Sequence, residues 1–197
     1  MKTISITSSI GEEGKSVISL MLAETLVSYN QKVLIVDANM RYPTIHSMIK
    51  RDNLIGFSNL LSDDSLTLKD VIQSDQKNNI GFEFISGGQV ISNPSKLIDS
   101  EKFKEVLDNI KNLKKYDYLI FDTPPILGIT DTPFLSRLCD FSLFVVSLDY
   151  VDKRLPAKSL IKMKRSSSPI LGVIANSVKA SHEINLTKFG FGKYSFG

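Results

Sequence analysis

Ser9-Ile10-Gly11-Glu12-Glu13-Gly14-Lys15-Ser16 sets a lysine and a hydroxyl at the end of a glycine-bearing loop, between a β-rich run and a long apolar run of helical pattern. That placement suits a phosphate chain. Main-chain N–H groups and the positive end of a helix face the anion, Lys15 reaches the β and γ oxygens, and Ser16 ligates Mg²⁺. Gly11, Glu12, Glu13, Gly14, Lys15, Ser16 and Val17 are therefore expected to hold nucleotide. Ser9 stands where the G-x-x-x-x-G-K-[ST] pattern has its first glycine, so the order strand, loop, helix carries as much of the reading as the pattern does.

Two further carboxylates end apolar runs, in Val33-Leu34-Ile35-Val36-Asp37 and Tyr118-Leu119-Ile120-Phe121-Asp122. In open α/β sheets ligands lie beyond the carboxyl ends of the strands, so both acids can face the loop at residues 9–16. A divalent cation on ATP takes oxygen ligands and keeps waters. One carboxylate then serves the metal, directly or through water, while another orients the attacking group. The bland alternative for either acid is a turn or helix-cap residue.

Elements must hold these groups in place. Strands are expected at residues 3–7, 32–36, 82–85, 118–121, 141–147 and 170–174, several of them apolar without alternation, as in a parallel sheet covered on both faces. Between the first two, residues 15–29 carry Val17, Ile18, Leu20, Met21, Leu22, Ala23, Leu26 and Val27, a surface so widely apolar that it predicts a heavily buried crossover helix. Asn93-Pro94 reads as a helix cap followed by proline at the first helical position. From Ser100 a second helix aligns Phe103, Val106, Leu107, Ile110 and Leu113, and residues 157–165 form a third.

The chain of 197 residues is 42% hydrophobic and 23% charged, which suits one globular domain and excludes a disordered or fibrous protein. With 24 Lys+Arg against 21 Asp+Glu, the net charge of +3 is no nucleic-acid footprint, and no nucleic-acid partner is expected. The apolar stretch from Phe141 to Leu148 is far short of a membrane span, and residues 1–10 lack the pattern of a secretion signal. Cys139 has no cysteine to pair with, and with His46 and His182 it cannot make a structural zinc site. These features predict a cytoplasmic protein of one α/β P-loop NTPase domain at residues 1–179, with a mostly parallel central sheet flanked by helices on both faces. Residues 180–197, rich in Gly and Phe at their end, are expected to be a flexible tail.

With these motifs in view, the chain resembles the bacterial tyrosine kinases of capsule and exopolysaccharide assembly. The resemblance rests on Thr7-Ser8-Ser9, Gly14-Lys15-Ser16, VLIVDANMRYPTIH from Val33 to His46, Gly87 with Asn93-Pro94-Ser95, and YDYLIFDTPPILGITD from Tyr116 to Asp131. It covers residues 3–176, with the three blocks in the family's order as Walker A, Walker A′ and Walker B. It implies tyrosine autophosphorylation from Mg-ATP, with Lys15, Asp37 and Asp122 catalytic, Ser16, Asp37 and Asp122 at the metal, and Asn176 near the adenine. It also implies a membrane-anchored polysaccharide co-polymerase as activator, recruitment to the inner face of the membrane, a homo-oligomer and a cognate tyrosine phosphatase.

The chain departs from the family at several points. Gly11 and Glu12 stand at the loop's usual proline and glycine, and Asn39 replaces the second acid of Walker A′, bringing no negative charge. The family's Arg-containing helix before the first strand has no counterpart after Met1. Its tyrosine-rich tail is reduced to Tyr194, among Phe189, Phe191 and Phe196, which makes Tyr194 the expected tail acceptor. Tyr29, Tyr42, Tyr116, Tyr118 and Tyr150 are expected to pack or to border strands and loops. Arg41 reads as a phosphate or subunit contact or else as solvated, Cys139 as a small core residue, and the six basic residues from Lys153 to Arg165 as a solvated helix face. The alternatives to a kinase are a nucleotide-gated scaffold of the same machinery, a partitioning or positioning ATPase, and a small-molecule ligase. The partitioning reading lacks its loop lysine, Ile10 standing at the nearest place, and fold alone would support the ligase.

Overall fold

Apolar runs without alternation become the inner strands of one sheet. The computed structural model describes residues 1–74, 81–91, 93–149 and 151–176. Among them the strands are β1 (Lys2–Ser8), β2 (Val33–Asp37), β3 (Ile72–Ser74), β4 (Glu83–Ile85), β5 (Tyr118–Asp122), β6 (Phe141–Ser147) and β7 (Ile170–Asn176). The helices are α1 (Lys15–Ser28), α2 (Ile45–Met48), α3 (Phe57–Ser62), α4 (Leu68–Val71), α5 (Pro94–Ile98), α6 (Glu101–Asn112), α7 (Asp131–Arg137) and α8 (Arg154–Arg165).

The strand order is β3-β4-β2-β5-β1-β6-β7, parallel throughout except for the antiparallel β3–β4 pair. This order brings β2, β5 and β1 side by side, so the three motif blocks leave the sheet next to one another at its carboxyl edge. Alternate residues of each strand feed opposite layers. Leu34 and Val36 join Phe121 and α3, α6 and α7 on one face, whereas Val33 and Ile35 join Ile4, Ile6 and α1 on the other. A satellite cluster of Ile126, Phe144 and Met163 sits under α8.

The six expected strands are present, each with its end shifted by no more than two residues. Two expectations need correction here. The face of α1 is buried only at Lys15, Ser19, Leu20 and Ala23, while Ile18, Leu22, Leu26 and Val27 are half-buried against the core. Apolar breadth overstates burial here because one sheet face can cover only one stripe of a helix. Leu113 follows the last turn of α6 and is 46% exposed, whereas Phe103, Val106, Leu107 and Ile110 are buried as expected. β7 is the edge strand, and Leu171 and Val173 are exposed on it.

The starts of α5 and α6 and the burial of Cys139 follow the sequence reading. Pro94 opens α5 after Asn93, although the Asn93 side chain makes no capping bond, and the Ser100 hydroxyl accepts from Phe103 N to start α6. Cys139 is buried in the core, and burial pushes its thiol up to about 12. Among the described residues no helix is long and apolar enough to cross a membrane, and no group of three metal-ligating side chains stands together. Tyr150, Tyr194, His182 and the expected tail at 180–197 lie outside the described residues.

Candidate functional site

The loop after β1 takes its shape from two left-handed residues, Glu12 (φ 63°) and Gly14 (φ 87°), with Glu13 between them not left-handed. Alternating backbone of this kind turns successive N–H groups toward one concavity that suits an anion. The Glu13 side chain points away from it. Glu13 is fully buried and its carboxylate accepts from Ile10 N (2.8 Å) and Ser147 N (3.1 Å), bracing the loop on itself and on the end of β6. Asn176, at the end of β7, donates from Nδ2 to the Glu13 carbonyl (2.9 Å) and lies against Gly14, so a Cβ at residue 14 would collide with its amide. Asn176 thus clasps the loop directly.

Lys15 opens α1 and is 7% exposed. Burial lowers its pKa, against the opposing charges of Asp122 and Glu13. Ser16 donates to Asp122 Oδ2 (2.6 Å), and Ser19, one turn on, donates to Oδ1 (3.3 Å). The Thr44 hydroxyl stands 3.0 Å from that of Ser16. Burial pushes Asp122 up to about 6, partly offset by Ser16, Lys15 and Ser19.

Asp37 faces Asp122 in register across β2 and β5, and both are buried. Burial, then the Asp122 charge, raises Asp37 well above the usual carboxylate range. Its oxygens accept from Asn39 N (3.2 Å), Thr44 N (3.0 Å) and Ile45 N (3.1 Å), so Asp37 ties down the turn that follows its own strand. Asn39 donates to the Tyr42 carbonyl (2.8 Å), while its Oδ1 is buried with no partner among the described residues.

Above this bed lies a cavity of about 810 Å³. One wall is the loop and first turn, with Gly11, Glu12, Gly14, Lys15, Ser16 and Val17; the other carries Asn39, Tyr42, Thr44, Ser47 and Met48, with Pro125 and Ile129 closing one side. Asp37, Asp122 and Asn176 are not in its lining; the two acids stand behind Ser16 and the 39–45 turn. Six of the seven loop positions expected from the sequence line the cavity, and Glu13 instead contributes from behind.

Three further contacts escaped the sequence reading. Arg41 binds Asp131 (Nη2–Oδ2 3.1 Å, Nε–Oδ2 3.2 Å), and Asp131, fully buried, also receives the Ser95 hydroxyl, which links the 39–45 turn to α7 and α5. Lys162 is not on a solvated face: its ammonium donates to the carbonyls of Ile126 (2.8 Å) and Ile129 (2.9 Å) and holds the loop after β5. Tyr42 is 75% exposed at the cavity and Tyr29 is 72% exposed, so of the expected roles, packing or bordering strands and loops, both take the second. No spacing rule pairs residues 90 or 33 positions apart. An isolated lysine or tyrosine carries no signal of its neighbours before the fold is known.

The donors present fit a magnesium nucleotide. The cavity is of the size that takes a cofactor, its lining offers the Ser16 and Thr44 hydroxyls with the Asp122 carboxylate directly behind Ser16, and Asn39 Oδ1 is an unpartnered buried acceptor on its wall. A buried lysine aimed at this space completes the match to a polyphosphate.

The chain is also similar to known proteins. The AAA domain family matches residues 1–150. The chain is 32% identical to the tyrosine-protein kinase YwqD of Bacillus subtilis, covering 96% of this chain and 78% of that one. Among solved structures it superposes on the chimerical protein CapA2B2 with a TM-score of 0.83 and 32% identity, over 90% of this chain and 76% of the other. It matches the kinase domain of the Escherichia coli tyrosine kinase ETK with a TM-score of 0.83 and 29% identity, over 91% and 69%.

Proposed function

Because the chain belongs to the bacterial tyrosine-protein kinase family, we propose that it is an Mg-ATP-dependent protein-tyrosine autokinase serving exopolysaccharide and capsule polymerisation and export. The observation that carries this reading is the shared bed of Lys15, Ser16 and Asp122 beneath one cavity, with Asp37 in register beside it. An Mg²⁺ ion held there would supply positive charge against the charge that develops on transfer. Ser16 would ligate the ion, while Asp122 orients Ser16 and receives ion-bound water.

The chain's own residues supply positioning, which phosphoryl transfer chiefly needs. The N–H groups from Gly11 to Val17 cradle the phosphates, and Lys15 fixes the β and γ oxygens. Asp37 holds the 39–45 turn against Ser16 through Thr44 and so positions the metal site beneath the attacking hydroxyl. Asn176 and Glu13 keep the loop in shape. Asn39, as an amide, orients water without adding charge, which lowers metal affinity relative to a second acid.

In this reading residues 1–179 are the catalytic unit and the 180–197 tail carries the acceptor Tyr194. A membrane-anchored polysaccharide co-polymerase recruits the cytoplasmic chain to the inner face of the membrane and activates it, homo-oligomers form, and a tyrosine phosphatase reverses the reaction. The relatives' kinase names and the three motif blocks support this assignment. Lys15→Met should abolish both Mg-ADP binding by calorimetry and phosphotyrosine, with an unchanged circular dichroism spectrum; labelling at the wild-type level would reject the site. Asn39 favours a second reading, a nucleotide-gated scaffold with weak transfer. It predicts an ATP-dependent change of oligomeric mass in light scattering without any label.

A further inference from the structure

Four tyrosines fall within the described residues, and their places in the fold sort them. Tyr116 is buried and gives its hydroxyl to Glu83, and Tyr118 is half-buried at the start of β5. Both stand at the amino edge of the sheet, the edge opposite Lys15. Tyr29 is 72% exposed but follows the last turn of α1, about 20 Å along the helix from Lys15. Tyr42 is 75% exposed and lines the same cavity as Lys15 and Ser16. Among the described tyrosines it alone combines exposure with the phosphate site.

Its backbone is held on each side. Tyr42 N donates to the Asn39 carbonyl (3.1 Å), the Tyr42 carbonyl accepts from Asn39 Nδ2 (2.8 Å), and Asp37 fixes Thr44 and Ile45 just beyond Pro43. No hydrogen bond to its hydroxyl is found among the described residues. The ring therefore turns on a fixed stalk at the cavity rim, an arrangement that holds a nucleophile close to its target with little entropy left to lose.

We propose that Tyr42 is an acceptor of the phosphoryl group, an inference that rests on the kinase reading above. The phenolic oxygen attacks the γ-phosphorus, and the new Oη–P bond forms as the bond from that phosphorus to the β,γ-bridging oxygen breaks. ADP departs with the electron pair of that bond, and the phenolic proton passes to water at the open rim. Phosphate then sits on a side chain of the catalytic cavity itself, independently of the tail.

Two experiments on the full chain test this. The first incubates wild type, Tyr194→Phe, Tyr42→Phe and Lys15→Met with Mg-ATP, alone and with the cytoplasmic segment of a candidate membrane partner, and maps phosphotyrosine by peptide mass spectrometry, with a Glu/Tyr copolymer as an external acceptor. Phosphate on the peptide carrying Tyr42 is expected in wild type and Tyr194→Phe, and none there in the other two. Phosphotyrosine elsewhere on the chain or on the copolymer, with none at Tyr42, overturns this inference alone. No phosphotyrosine on chain or copolymer overturns the kinase reading and this inference together. The second experiment does not depend on turnover. Tetranitromethane should nitrate Tyr42 and Tyr29 alike in the free chain, and a Mg-bound non-hydrolysable ATP analogue should slow nitration of Tyr42 several-fold while leaving Tyr29 unchanged. In Lys15→Met that protection should be lost; equal nitration of Tyr42 with and without the analogue in wild type contradicts its place at the nucleotide.

Discussion

Asp37 and Asp122 face each other in register at the ends of adjacent parallel strands, both buried and both held above the usual carboxylate range. Two neighbouring buried acids, of which Asp122 alone has Lys15 beside it, make ionisation costly in the protein by itself and useful once a cation arrives. The pair is thus a place where stability is given up for binding.

That relationship fixes a pH dependence. Asp122 titrates at about 6 in the fold against about 3.9 in an unfolded chain, and Asp37 shifts the same way, so between those values the folded state holds more protons than the unfolded one. Stability of the nucleotide-free protein therefore falls as pH rises from about 4 through about 6. Thermal melts should show a higher Tm at pH 5 than at pH 7.5, with Asp122→Asn flattening the difference. Mg-ADP affinity should run the opposite way and weaken below pH 6, because the ion needs the carboxylate charged.

Gly14 and Asn176 set a second expectation. Gly14→Ala forces an L-residue into φ 87° and drives its Cβ into the Asn176 amide, a strain of roughly 1–3 kcal/mol. The variant should melt several degrees lower and lose nucleotide binding by calorimetry. Asn176→Ala removes the clasp on the Glu13 carbonyl and should weaken Mg-ADP binding with a smaller loss of stability.

Lys162 holds the loop whose Pro125 and Ile129 close the cavity. Lys162→Met keeps the aliphatic stem and removes both bonds to carbonyls, each a charge-assisted contact worth roughly 1.5–3 kcal/mol at most. Its half-life under limited proteolysis at residues 123–130 should shorten, and its KM for ATP should rise more than its kcat falls. Lys162→Arg should recover much of both.

Phe103 packs against Phe57 and Phe121, with ring centroids 6.0 and 6.4 Å away. Phe121 immediately precedes Asp122, so this cluster supports the floor of the site from below. Phe103→Ala should cost about 3–5 kcal/mol in urea unfolding.

The inner sheet and the three motif blocks were legible because each is local: an apolar run, a terminal acid, a glycine-rich loop before a helix. β3 was not, because Ile72–Ser74 carries a single apolar residue, whereas the equally short β4 stands out through Phe82, Phe84 and Ile85. α7 was hidden by Pro133, which the first turn of a helix tolerates since its N–H would have no partner there. Glu13 was expected to hold nucleotide along with its neighbours, but its carboxylate turns inward to meet Ser147, 134 residues away. The Arg41–Asp131 pair, the Lys162 latch and the exposure of Tyr42 at the cavity likewise arise from contacts that only the folded chain brings together.

The most direct test of the kinase assignment is the intact mass of the chain after incubation with Mg-ATP, alone and with the cytoplasmic segment of a candidate membrane partner. A gain of whole phosphate units on tyrosine, absent in Lys15→Met, is the predicted result. An unchanged mass under both conditions, in a protein that still binds Mg-ATP, would contradict it.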